Sequence, residues 1–155
     1  MKQKYFLFGI LCMVLFVGVA SAENPKKAVN PPELPNTTQY GYSQANIVAA
    51  DANLIFVAGQ VGFTENGPND FESQVDRSFD ALLATLKAAG TNAENVVKIT
   101  LLINDYDAKK LAYLVKKRKA VFGDKPPAST LIPVTALYAP GVLFEIDAIA
   151  VAPKK

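Results

Sequence analysis

The chain has 155 residues, half of them apolar, with 16 basic and 14 acidic side chains, one cysteine and no histidine. Lack of histidine excludes Ser-His triads and histidine metal sites, and a lone cysteine, Cys12, excludes a disulfide within the chain. A formal charge of +2 lacks the electrostatic footprint of a nucleic-acid binder, so no nucleic acid is expected as partner.

Residues 1–22 have the three parts of a secretory signal peptide: Met1-Lys-Gln-Lys4, an apolar run from Tyr5 to Ala20, and small residues through Ala22 before Glu23. The run is shorter than the ~20 residues a membrane span usually needs and its small-residue end fits cleavage, with an uncleaved membrane anchor as the alternative. Cys12 follows Gly9-Ile10-Leu11 and lies inside the run, away from the small-residue edge expected of a lipid-modified cysteine. The protein is therefore expected to be exported to the periplasm or beyond, with no stable membrane association after cleavage. Loss of the segment removes Lys2, Lys4 and Cys12 and leaves 14 basic against 14 acidic residues. No cysteine nucleophile or metal site is then expected, and the catalytic vocabulary narrows to carboxylates, hydroxyls, Tyr, Lys, Arg77 and Arg118.

Residues 23–38 hold Pro25, Pro31, Pro32 and Pro35 among polar residues and read as an extended linker, which starts the folded domain at residue 39 and runs it to 155. Ala45 to Ala50 and Asn53 to Gln60, separated by Asp51-Ala52, predict two hairpin-paired strands. The segment from Phe63 to Asn69 is a loop. Phe71, Val75, Phe79, Leu82, Leu83 and Leu86 are spaced as one face of a helix, capped by Asn69 or Asp70 and stopped at Gly90. Val96 to Ile103 is a β-branched run and reads as a buried strand. Asp105 and Asp107 then cap a second helix with Leu111, Leu114, Val115, Val121 and Phe122 on one side, ending at Gly123. Its basic run, Lys116 to Lys119, reads as a solvated face and puts Arg118 on the polar side. Thr130 to Leu137 and Val142 to Val151 are the last two strands, joined through Tyr138-Ala-Pro-Gly141.

This order predicts an α+β fold, two helices packed on one face of a mixed sheet. An apolar open face on such a sheet calls for cover by copies of the same chain, so a homo-oligomer is expected. The last strand is unusual. Its period of two puts Leu143, Glu145, Asp147, Ile149 and Val151 on one side and Val142, Phe144, Ile146, Ala148 and Ala150 on the other. Carboxylates in an otherwise apolar strand need a partner or must give up their charge. Glu145 and Asp147 thus mark either a site or a wetted or edge strand that they merely keep soluble.

Five segments, in this order and spacing, resemble the RidA (YjgF) family of enamine/imine deaminases over Tyr42 to Ala152. They are Gly41-Tyr-Ser-Gln-Ala45, Val57-Ala-Gly-Gln60, Leu86-Lys-Ala-Ala-Gly90 leading to Asn95-Val-Val-Lys98, Pro127-Ala-Ser-Thr130, and Glu145-Ile-Asp-Ala-Ile-Ala-Val151. The resemblance implies a chorismate-mutase-like fold, a homotrimer with small-molecule ligand clefts between subunits, and hydrolysis of enamines or imines to a carbonyl compound and ammonia with no cofactor and no metal. It assigns Glu145 to activating water and Tyr42 to lining the cleft, and it puts Ser129, Thr130, Ala58 and Gly59 among the substrate-binding positions.

The chain departs from the pattern in three places. Active members carry an arginine two residues after the proline of Pro127-Ala-Ser-Thr130 to hold the substrate carboxylate, and here that residue is Ser129, a single neutral hydroxyl in place of a charged bidentate fork. The serine often found before the Gly-Gln pair is Ala58, and the asparagine of the second helix has no counterpart between Ala108 and Gly123. Neither Arg77 nor Arg118 is placed by the sequence to replace the missing arginine. Two functions follow: a deaminase of altered specificity, whose substrate lacks a carboxylate or has it held by other groups, and a non-catalytic trimer that binds a small metabolite. A chaperone-like role rests only on apolar content and ranks third. Without a function, Tyr42 is a half-buried core tyrosine, and Ser129 and Thr130 are ordinary strand residues.

Overall fold

The computed structural model describes residues 26–152, so the expected signal peptide lies outside the described residues. Helix α1 (Phe71–Ala88) starts where the Asp70 carboxylate accepts the Ser73 N–H at 2.9 Å, and it ends before Gly90, whose φ of +76° suits a residue without Cβ. Helix α2 (Ala108–Phe122) starts where Asp107 accepts the Lys110 N–H at 2.7 Å and stops at Gly123, also at positive φ. In α1 the 3.6-residue period buries Phe71, Val75, Phe79, Leu82 and Leu86.

Beneath the helices lies a four-stranded sheet in the order β3 (Leu54–Val61), β6 (Phe144–Val151), β4 (Val96–Asn104), β5 (Ala128–Val134). β6 pairs antiparallel with β3 and β4, whereas β4 and β5 run parallel and are joined through α2. Both helices pack on one face, as the sequence predicts. The core they enclose includes Val96, Ile99, Leu101 and Ile103 of β4 and Phe144 and Ile146 of β6. Phe144 stacks on Phe79 at 6.1 Å and meets the edge of Phe71 at 5.9 Å. Fully burying side chains of this size contributes roughly 1.5–3 kcal/mol each.

Two expectations need correction. The stretch 23–38 is not linker throughout, because β1 (Lys26–Val29) pairs antiparallel with β2 (Ala45–Val48) in a separate two-stranded sheet. Its four residues contain no proline, and Lys26 anchors it by donating to the carbonyls of Val96 (2.5 Å) and Lys125 (2.7 Å). Nor do β2 and β3 form a hairpin. The turn is present, with the Ala52 N–H on Ala49 O at 3.1 Å, but the strands leave it for different sheets, β2 toward β1 and β3 toward β6.

β6 is the second strand in from β3 and is paired on both sides, so Glu145 and Asp147 do not belong to an edge strand. The alternation along it is as read: Phe144, Ile146, Ala148 and Ala150 are buried, while Glu145, Asp147 and Ile149 are only half-buried on the face away from the helices.

Candidate ligand-binding site

The residues singled out in the sequence fall into two places in one subunit. On the open face, β3 shifts register between Val57 and Gln60, and Gly59 sits in this irregularity under the side chain of Glu145, whose backbone pairs with Val61. A Cβ on Gly59 would lie 1.8 Å from Glu145 Oε1, so glycine here makes the notch in which the carboxylate lies. Ala58 is exposed beside it. Gln74 of α1, fully buried, fixes the entry to β6 by accepting the Leu143 N–H at 2.9 Å and donating to Gly141 O at 2.8 Å.

Farther across this face Thr100 pairs with Asp147 on one side and Thr130 on the other, and the Lys98 ammonium donates to the Thr130 hydroxyl. Burial lowers the Lys98 pKa, and the Asp147 charge opposes that shift. Around these polar groups the face is apolar and uncovered: Phe56 is 73% exposed, and Leu54 and Ile132 are exposed too.

The second place is a cavity of about 430 Å³ beside β5 and α2. Tyr40, Tyr42 and Tyr106 line it together with Leu111, Val115 and Leu131, and Arg118 and Ser129 supply its polar groups. The Gly41-Tyr-Ser-Gln-Ala45 motif builds one wall. Gly41 has φ +74°, and a Cβ there would come within 3.0 Å of Arg118 Cβ, so glycine lets the chain pass close over α2. Ser43 then fastens the segment to the start of β5, its N–H on Pro127 O and its hydroxyl on Pro126 O, each at 2.9 Å. Tyr42 is thereby held with its ring 5.4 Å from the Arg118 guanidinium carbon.

Arg118 is not on the polar side of α2. Only 3% of it is exposed, and it lies in line with buried Leu114 and Phe122, one turn to either side. Lys116 and Lys119 do face solvent. The helical period carried the signal, since positions 114, 118 and 122 fall on one stripe, but the surrounding lysines masked it. The guanidinium NH1 donates to Ser129 Oγ at 3.3 Å, so an arginine from the helix reaches the residue that stands where the family's strand arginine would be. Burial pushes its pKa below the ordinary value, with Tyr42 opposing. Tyr40 and Tyr106, which no motif flagged, complete the aromatic wall.

Comparison with known proteins settles the lineage. The model of the family described as endoribonuclease L-PSP matches residues 35–152. A RutC family protein of Escherichia coli, YjgH, is 33% identical over 119 residues, covering 75% of this chain and 88% of its own. The chain belongs to the RidA/YjgF family. Among solved structures, the Rid-family protein YyfB of Yersinia pestis superimposes with a TM-score of 0.77 at 26% identity, covering 82% of this chain and 98% of that one. A rat relative, 35% identical over 117 residues with coverage of 71% and 79%, is named 2-iminobutanoate/2-iminopropanoate deaminase. The two-helix, mixed-sheet α+β fold is that of the Rid neighbours.

Proposed function

We propose that this RidA-family chain assembles as a homotrimer with small-ligand clefts between subunits and hydrolyses enamines or imines of a specificity different from that of relatives with the strand arginine. The observation that carries the reading is the Glu145 carboxylate, lodged in the Gly59 notch on a sheet face whose apolar side chains are uncovered. A second subunit on this face would shield those side chains and enclose the carboxylate. Tyr42 and Ser129 line the cavity on the helix side of β5, whereas Thr130 and Glu145 belong to the open face, so a site that uses all four needs two subunits.

In the reaction, Glu145 takes a proton from water as its oxygen bonds to the imine carbon, and the proton passes to the nitrogen. The hydroxyl of the resulting carbinolamine then gives its proton, by way of Glu145, to the amine as the C–N bond breaks, leaving a carbonyl compound and ammonia; one water is consumed and no redox partner is needed. The name of the rat relative supports this substrate class. The segment 1–22 supports export, with the chemistry taking place outside the cytoplasm.

Release of ammonia and carbonyl product from freshly generated imines is the test, with sedimentation to read the oligomer. Glu145→Gln should lower turnover by about 100-fold or more while leaving the assembly intact. An active wild type that Glu145→Gln leaves unchanged refutes the assignment of the base. The second reading, a trimer that binds without catalysis, is favoured by Ser129 and is the one to keep if the wild type turns over no imine.

A further inference from the structure

The Arg118 guanidinium is nearly fully buried, and among the described residues no ion pair with Asp or Glu includes it. Its hydrogen bond to Ser129 is long, at 3.3 Å, and Nε is buried without an acceptor. A buried charge held by one neutral hydroxyl and one aromatic ring is under-compensated, and a fork of five N–H donors has capacity to spare. Arg77 shows a better-satisfied guanidinium in the same fold. Its Nε donates to Gly62 O at 2.6 Å, and NH2 donates to Pro68 O at 2.8 Å and Asn69 Oδ1 at 3.1 Å.

We infer that the cavity beside β5 is a binding site for a carboxylate carrying an aromatic or branched apolar body, with Arg118 as the anion anchor and Tyr40, Tyr42 and Tyr106 as the wall for the body. The carboxylate supplies the missing acceptors, and its charge meets a cation that water cannot reach freely. The cavity of about 430 Å³ has room for an aryl-propanoic acid, whose ring would cover part of the aromatic wall that a three-carbon acid leaves bare. The apolar lining from Leu111, Val115 and Leu131 disfavours a polar side chain on the ligand. This inference rests on the reading of the cleft as a ligand site, but not on catalysis.

Calorimetric titration of the full chain with 3-phenylpropanoate, its amide and acetate tests it without turnover. The acid should bind at least tenfold more tightly than either the amide or acetate. Arg118→Gln should abolish the preference for acid over amide, and Arg118→Lys should keep part of it. Tyrosine emission gives a second readout, since the chain has no tryptophan. Equal affinity for acid and amide in the wild type, or no binding of either, overturns the proposal, and neither result needs a variant that must fold. Binding that follows this pattern in a protein that turns over no imine leaves the inference standing and removes only the catalytic reading.

Discussion

The chain's two arginines both leave the middle of a helix and both reach backbone or side chain on another element, yet they end in opposite situations. Arg77 spends its donors on the loop between β3 and α1, where Gly62 runs so close to the helix that a Cβ would meet the Gln74 carbonyl at 2.0 Å. Arg118 is more deeply buried and less well satisfied, and it faces a cavity. A cation bound chiefly by backbone acceptors is a clamp. A buried one that keeps spare donors beside an aromatic-walled cavity costs folding energy and is suited to holding something that arrives later. Lys26 belongs with Arg77, since it ties β1 to β4 and to the loop before β5 through two carbonyls.

Substituting the two arginines in parallel should separate clamp from anchor most sharply. Arg77→Ala leaves the carbonyls of Gly62 and Pro68 without their donor, while Asn69 Oδ1 keeps the Thr64 N–H, and should cost about 1–2 kcal/mol in urea unfolding. Arg118→Met removes a desolvated charge and fills the same space, so it should be neutral or stabilising by roughly 1 kcal/mol. If the two cost the same, the contrast between them fails.

Lys26 offers a subtler check through pH. Burial, with help from the Lys125 charge and against the pull of Glu94, lowers its pKa from 10.5 to about 8. Below pH 8 both folded and unfolded chains hold the proton; between about 8 and 10.5 the unfolded chain holds more, so stability rises with pH across that window. The contribution is complete above pH 10.5 and is lost as the pH falls through 8. Lys26→Met should flatten this part of the stability profile, and an unchanged slope would show that the ammonium is not buried as described.

The smallest effect on stability is expected at the open face. In Gly59→Ala the atoms nearest the new methyl all belong to the Glu145 side chain, which can swing aside, so unfolding should shift by under about 1 kcal/mol. If Glu145 activates water, turnover should nevertheless fall by tenfold or more, because the carboxylate must leave its notch.

Much of the fold was legible in the sequence because its signals are local. Asp70 and Asp107 cap where their spacing said, the α1 stripe is buried except for half-buried Leu83, and β6 alternates as read up to Ala150, with Val151 buried as well. Pairing was not legible. The turn at Asp51-Ala52 looks the same whether its strands close a hairpin or part for different sheets, and that choice is made by β6 and β1, which lie far away in the chain. The candidate site was half legible. Motif positions located Tyr42, Ser129 and Glu145, but the arginine that touches Ser129 was hidden, because a run of four cations reads as solvated unless each is placed on the helical wheel.

One topological fact bears on how the protein is made. β6 follows every other strand in chain order yet lies between β3 and β4. Until it leaves the ribosome, both of those strands present unpaired edges, and the aromatic cluster lacks Phe144. The chain therefore cannot close its main sheet until β6 has emerged. Loss of β6, which would open the main sheet between β3 and β4, should therefore be far more damaging than loss of β1, which pairs only with β2.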